Sequence, residues 1–240
     1  MQFNLTPPNL EKYFFDISTD CPYDLPHKAI YHQAKMNMVP DQIMEQFMAN
    51  GYRRSGNSLY TMVCRTCQSC VPIRLDPNNV SLNRNQKRTR QRNNDLTWEI
   101  APLEASPQSI ALCNSFLQNR FPDKDNNAED YYFGFFANSV TETCELRYFL
   151  DDKLVGVAIV DIGRRWLNAV YFFFDPALSR RSLGTFNILT LIEHCRKQKI
   201  EHLYLGYRIE EVAAMSYKSN FKPHEIFIAD RWQQITADKE

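Results

Sequence analysis

The sequence predicts an α+β fold in two parts: a small cysteine-containing N-terminal module over residues 1–94 and a more regular domain over residues 95–240. Two observations carry this. Composition changes sharply near residues 78–94, where turns and cysteines give way to a basic stretch. Beyond residue 95 the hydrophobic periodicity becomes regular and runs strand, two helices, three antiparallel strands, helix, strand, helix, strand.

In the N-terminal part, Asp41 is placed to cap a helix with Ile43, Met44, Phe47 and Met48 on one face, ending at Asn50-Gly51. Residues 59–63 read as a strand leading into CRTCQSC, residues 64–70. The stretch NRNQKRTRQR, residues 83–92, has five basic residues and no acidic one. It reads either as a solvated helix or loop face or as a phosphate-contacting arm made by Arg84, Lys87, Arg88, Arg90 and Arg92. Residues 96–100 form a short strand, Ser106-Pro107 starts a helix with Ile110, Cys113, Phe116 and Leu117, and residues 128–137 suit an aromatic-rich helix. Residues 145–150, 154–161 and 166–174, with turns at Asp151-Asp152-Lys153 and Gly163-Arg164-Arg165, form a meander that Asp175-Pro176 ends. A helix over 182–197, a strand over 202–206, a helix over 212–220 and a last strand over 225–232 complete the chain.

Composition narrows the class. The 28 basic residues balance the 28 acidic ones, so any nucleic-acid surface has to be local. No basic-then-apolar leader opens the chain and no apolar run approaches the length of a membrane span, which reads as a soluble cytoplasmic protein. Seven cysteines, an odd number in a chain of 240 residues, argue for reduced thiols rather than a disulfide scaffold. Cys64, Cys67 and Cys70, with Cys21 of CPYDLP as a fourth, have a spacing that suits a zinc or iron–sulfur site and suits buried thiols equally.

The element order is that of the acyltransferase fold typified by GCN5-related N-acetyltransferases. The loop DPALSRRSLGTF, residues 175–186, puts Arg180 and Arg181 before Ser182, Leu183, Gly184 and Thr185 at a helix N-terminus, where free amides and the helix dipole favour an anion. It resembles the acetyltransferase pyrophosphate loop in its first half. Phe186 then stands where a small residue is needed, which disfavours coenzyme A. The plain alternative is that Gly184 serves the turn and Arg181 is solvated.

CPYDLP (21–26), GYRRSGNSLYTMVCRTCQSCVPIRL (51–75), NRNQKRTRQRNNDL (83–96), NAVYFFFDPALSRRSLGTFNIL (168–189) and YLGYRIEEVAAMSYKSNFKPHEI (204–226) together resemble the bacterial aspartate/glutamate leucyltransferases, relatives of the arginyl-tRNA–protein transferases. The resemblance implies transfer of leucine from leucyl-tRNA to the N-terminal Asp or Glu of proteins, marking them for degradation. It also implies a catalytic domain of acyltransferase fold that needs no cofactor for transfer. Eukaryotic arginyltransferases hold zinc or an iron–sulfur cluster with N-terminal cysteines of different spacing. Two stretches depart from relatives: residues 119–130, and Arg208-Ile209-Glu210-Glu211, whose carboxylates are unexpected beside a tRNA and an acidic acceptor. Arginine as the transferred residue, a coenzyme A-dependent acetyltransferase and a non-catalytic zinc-containing RNA-binding module are the competing readings.

An aminoacyl ester is already activated, so the enzyme has to hold the tRNA end, hold the acceptor's carboxylate and bring a free amine to the carbonyl. An α-amino group titrates near about 7.7–8.0, so a weak base suffices. Arg180, Arg181, Ser182, Gly184 and Thr185 are the candidates for the terminal phosphates, with the basic stretch following the acceptor stem by backbone contacts. Arg53, Arg54 and Lys218 are the candidates for the carboxylate. Tyr217 stands where acetyltransferases often place a tyrosine that helps the leaving group, and packing would explain it equally. Asp175 is placed to bind the ammonium or accept its proton, with a turn-initiating Asp-Pro as the simpler account. His194, His202 and His224 offer no argument for catalysis.

Overall fold

The computed structural model describes residues 10–236, in which two sheets share the chain. The N-terminal sheet is antiparallel, ordered β1-β2-β4-β3, with β1 Phe15–Asp20, β2 Lys28–Lys35, β3 Arg53–Ser55 and β4 Ser58–Met62. Of these only β4 is predicted from sequence. β1 is exposed along its whole length and β2 buries only Ala29 and Ala34, so the hairpin lacks the apolar alternation that marks a strand. Helix α1, Asp41–Ala49, buries Met44, Phe47 and Met48 against Tyr52, Leu59, Trp166 and Tyr204. Asp41 does not cap its own helix. Its carboxylate accepts the Trp166 indole N–H at 3.0 Å, tying the helix to the second sheet.

The second sheet has eight strands in the order β12-β11-β5-β10-β9-β8-β7-β6. The meander is β7 Thr143–Leu150, β8 Lys153–Ile162 and β9 Trp166–Phe174, flanked by β6 Thr97–Pro102. On the other side stand β10 His202–Arg208, β5 Val71–Leu75, β11 His224–Ile228 and β12 Arg231–Ile235. β5 belongs to the stretch that composition assigns to the N-terminal module, yet it lies between β10 and β11, antiparallel to both. The stretch read as one last strand is the β11–β12 hairpin. Its two-residue turn, Ala229-Asp230, has φ of 51° and 57° without the Asn-Gly signal that usually announces it.

Helix α2 is Arg84–Arg92, closed by a reciprocal capping box between Asn83 and Gln86. Helix α3, Pro107–Arg120, is capped by Ser106 and packs on β8 and β9. Helix α4, Ala128–Asp130, passes directly into a π-helix at Tyr131–Phe136, which buries Tyr132 and Phe136 against Phe173. Helix α5, Leu183–Gln198, covers the opposite face and buries Leu183, Phe186, Leu189, Ile192 and Cys195. Of the helix expected over 212–220, only α6, Ala213–Ser216, is α-helical, and a 3-10 turn, Tyr217–Asn220, follows it.

One feature of the sheet positions the site. β9 and β10 are parallel and pair only where His202–Tyr204 meets Trp166–Asn168. Beyond that the register of β10 slips against β5 between Tyr204 and Tyr207, and Gly206 takes φ of +80°, which a side chain would strain. The two strands part there, and the N-terminus of α5 lies past the end of β9.

Candidate active site

The loop into α5 begins where Asp175 ends β9. Its carboxylate accepts the Ala177 amide at 3.0 Å and pairs with Lys153 at 2.9 Å, and these contacts hold its pKa below the usual range. Asp175 therefore starts the turn and carries an ion pair, which makes it a poor proton acceptor. After the 3-10 turn Pro176–Arg181, Ser182 adopts the left-handed conformation (φ 58°) and makes no capping bond, so among the described residues no side chain caps the first amides of α5. A methyl group on Gly184 would lie 3.6 Å from the Tyr217 hydroxyl, so Gly184 and Tyr217 face each other at the helix mouth. Thr185 is half-buried beside them. Burial pushes the Tyr217 phenol up to about 12, which keeps it a hydrogen-bond donor at neutral pH. Arg180 is exposed. Arg181 does not point its fork at the helix mouth, because Asp95 holds both guanidinium nitrogens at 2.7 and 2.8 Å.

The basic stretch is docked against this loop. Gln86, Thr89 and Asn93 form its buried side. Asn93 Nδ2 donates to the Arg181 carbonyl (2.9 Å), and Gln86 Nε2 donates to the Asn220 carbonyl just after Tyr217 and Lys218 (3.1 Å). Arg92 donates to the Arg180 carbonyl at 2.7 Å. Arg84, Lys87, Arg88 and Arg90 are exposed, and among the described residues none forms an ion pair. Polar anchoring on one face thus turns the charge of the other face outward, next to the α5 N-terminus.

Arg53 and Arg54 are neighbours on β3, and the structure separates their roles. Arg54 is fully enclosed: its Nε and Nη2 bond the Asp161 carboxylate, and Nη1 bonds the carbonyls of Gly56, Phe135 and Phe136. Thr143 and Asn168 complete the ring around Asp161. With its fork fully occupied, Arg54 is not available to read a substrate carboxylate. Arg53 is 4% exposed, and its fork donates only to carbonyls, Tyr52 O at 2.6 Å and Gly206 O at 2.9 Å. Its Nε has no partner among the described residues, and its plane lies over the rings of Tyr204 and Tyr207. Lys218 reaches the same bulge: its Nζ donates to the Tyr207 carbonyl at 3.0 Å and would lie 3.7 Å from a methyl on Gly206. Burial lowers the Lys218 pKa to about 7, with Arg53 adding to the shift, and burial lowers Arg53 too. Two cations are therefore held beside the β10 bulge, and among the described residues neither has a carboxylate partner. Tyr207, whose buried hydroxyl is unpartnered among the described residues, and Tyr60 line the same place, and neither carries a signal readable in the sequence.

Cys21, Cys64, Cys67 and Cys70 are free and half-buried. They lie close enough together that burial and the other three thiols push Cys70 up to about 12, and Cys64 Sγ accepts the Ile30 amide. Among the described residues, however, no three His, Cys, Asp or Glu side chains form a group able to hold a metal ion. Burial raises the Tyr23 and Tyr31 phenols, and the thiols of Cys70 and Cys21 add to both shifts. Glu210 and Glu211 line a neighbouring groove of about 340 Å³ with Gln68, Ser69, Val71 and Arg208; Glu210 pairs with Arg208, and Glu211 accepts from Ser69. His194 packs edge-on to Trp98, and His224 bonds the Phe221 carbonyl. His202 and His224 line a separate cavity of about 120 Å³ with Asp76 and Glu225.

A family profile described as "Arginine-tRNA-protein transferase, C terminus" matches residues 108–228, and its N-terminal counterpart matches residues 19–88. The chain is 35% identical over 202 residues to a protein of Marinobacter nauticus named aspartate/glutamate leucyltransferase, covering 83% of this chain and 85% of that one. Proteins of the same name from Saccharophagus degradans (37% identity, 81% and 84% covered) and Acinetobacter baumannii (30%, 98% and 84%) are similar along most of their length. Among solved structures, the C-terminal domain of a putative lysylphosphatidylglycerol synthetase from Agrobacterium fabrum overlays with a TM-score of 0.45 at 13% identity, covering 79% of this chain and 58% of that one.

Proposed function

Because the chain belongs to the arginine-tRNA-protein transferase family, we propose that it transfers leucine from leucyl-tRNA to the N-terminal Asp or Glu of a protein and so marks that protein for degradation. The observation that carries the acceptor half of this reading is the Arg53–Lys218 pair, a buried and a half-buried cation without a carboxylate partner among the described residues, at the point where β9 and β10 part. A charge enclosed without a counter-ion is costly, and an acidic side chain entering there relieves the cost. A neutral N-terminal residue would not.

The donor half rests on the α5 mouth. Its uncapped amides suit the terminal phosphates of the tRNA, with Arg180 at the rim and α2 lying along the acceptor stem through Arg84, Lys87, Arg88 and Arg90. Arg181 contributes by fixing the loop through Asp95. Tyr217, protonated at neutral pH and facing Gly184, is positioned to donate to the ribose oxygen as the ester bond breaks. No coenzyme A is needed, since the ester arrives activated; Phe186, expected from sequence to crowd the loop, is instead buried in the core against Tyr148 and gives no argument either way. The splayed parallel strands beside a helix N-terminus support an acyltransferase-like catalytic domain of the acetyltransferase type. An aminoacyl-tRNA donor implies work in the cytoplasm, and no helix among the described residues is long and apolar enough to cross a membrane.

Purified protein, total aminoacylated tRNA and a peptide beginning with Asp, followed by mass spectrometry, tests the reading. The expected product is the peptide extended by leucine, with none from an N-acetylated peptide. Extension by arginine would reassign the donor, and no product with either aminoacyl-tRNA would reject the reading.

A further inference from the structure

Lys218 sits in surroundings that an ordinary ion-pairing lysine does not have. The groups facing Arg53 are phenols, Tyr207 and Tyr204 from β10, Tyr60 from β4 and Tyr23 from the β1–β2 loop; beside Lys218 lie Arg53 and the Met215 thioether of α6, 3.6 Å from Nζ, and Tyr217 adjoins in the same 3-10 turn. Among the described residues, neither Arg53 nor Lys218 forms an ion pair with a carboxylate. Lys218 shares its surroundings with a guanidinium that cannot give up its proton, so it is the amine that yields one more readily than a free lysine.

We propose that Lys218 takes the proton from the acceptor's α-ammonium, and that the acceptor's own side-chain carboxylate is what lets Lys218 keep it. The inference rests on the assignment of Arg53 and Lys218 to that carboxylate. In an N-terminal Asp or Glu the carboxylate and the α-nitrogen are a few bonds apart, so one lysine can meet both. The N–H bond breaks at the α-nitrogen and forms at Nζ, leaving a lysine ammonium paired with the carboxylate. The freed lone pair attacks the leucyl carbonyl. The C–O bond to the ribose breaks, that oxygen takes the Tyr217 hydroxyl proton, and Tyr217 regains one from the new nitrogen. Of the three ammonium protons, one ends on Lys218, one on the tRNA hydroxyl and one on the amide. The acidic side chain is thus a trigger as well as a handle, and a neutral isostere would be left unactivated even when bound.

The test is the pH profile of transfer to an Asp peptide at sub-saturating concentration, for the wild type, K218R and K218M, with leucyl-tRNA binding and circular dichroism as checks on folding. The wild type should show a bell, because the reactive complex holds one proton between Lys218, near 7, and an amine near about 7.7–8.0. K218R, which keeps the charge but cannot accept a proton, should lose the alkaline limb and level off above the amine pKa. A K218R profile with the wild-type shape would overturn the inference while K218M, if it loses transfer, leaves the carboxylate assignment standing. Unimpaired transfer by K218M would remove both. Calorimetry on the wild type needs no variant to fold: binding of an N-acetyl-Asp peptide, which brings no proton, should be accompanied by net proton uptake from solution in the neutral range, measured in buffers of different ionisation enthalpy. Binding without proton uptake would overturn the inference. If the acetylated peptide does not bind, the profiles decide.

Discussion

Arg53 and Arg54 are the same residue type, adjacent on one short strand, and both are 4% exposed. Arg54 meets a carboxylate on β8 and three backbone carbonyls. Arg53 meets carbonyls, aromatic faces and another cation. Set side by side, they show how a structural cation differs from a binding one in an enclosed site. A buried charge with its counter-ion supplied by the fold is a fastening, and a buried charge whose counter-ion is missing is a place for a ligand.

Breaking the satisfied pair should have the largest effect. Asp161→Asn leaves Arg54 enclosed and unpaired, which by analogy with other broken buried pairs costs about 3–5 kcal/mol, a large part of a typical domain's stability. Denaturant unfolding should show this as a much lower midpoint. Arg53→Met, by contrast, removes a charge with no carboxylate partner among the described residues. Its unfolding midpoint should stay near wild type, while transfer to Asp or Glu peptides falls by about 10²–10³-fold, the effect of losing a charged hydrogen-bonded partner. Equal destabilisation by the two variants would erase the distinction.

Tyr217→Phe should slow the maximal rate by about 10²-fold with little change in acceptor KM, as expected for loss of a proton donor. A change in KM alone would return Tyr217 to a packing role. A smaller, salt-dependent effect is expected for Gln at Arg84, Lys87, Arg88 and Arg90. Removing one phosphate-neutralising charge should make the slope of log affinity against log salt shallower by about 0.9, or about 0.7 on a single strand. Filter binding of tRNA across salt concentrations measures it, and unchanged slopes would make α2 a solvated face.

The depressed Lys218 pKa also predicts a sign for stability. The folded Lys218 pKa, near 7, lies below its unfolded value, so between about 7 and about 10.4 the unfolded chain binds more protons. The destabilising effect of Lys218 is fully present below pH 7 and is relieved as pH rises through that window. Lys218→Met should therefore be more stable than the wild type at pH 6, with the gap closing towards pH 10. A gap that does not vary with pH would mean that Lys218 does not titrate there.

Much of the architecture is legible in the residues. The meander follows from three apolar runs separated by the turns at Asp151-Asp152-Lys153 and Gly163-Arg164-Arg165, α3 and α5 follow from apolar residues at helical spacing, and the caps at Asn83 and Ser106 lie where short polar side chains precede the helices. The thiols at 64–70 and the basic helix announce themselves by composition. β5 does not: VPIRL is a short apolar run like many others, and its partners, β10 and β11, lie in the last part of the chain. The β11–β12 turn is hidden because Ala229 and Asp230 adopt positive φ without a glycine. Asp175 and Arg181 read as free charges because the residues that pair with them, Lys153 and Asp95, are distant in sequence.

The order of elements from β6 to β10, the anion-ready mouth of α5 and a short list of cations for an acidic acceptor can all be read from the chain alone, because they depend on local periodicity and residue chemistry. Which of those cations is satisfied could not be read that way. Whether Arg53 or Arg54 finds a carboxylate depends on which face of β3 meets β8 and which meets the β10 bulge, and that is fixed by long-range packing rather than by anything within the strand.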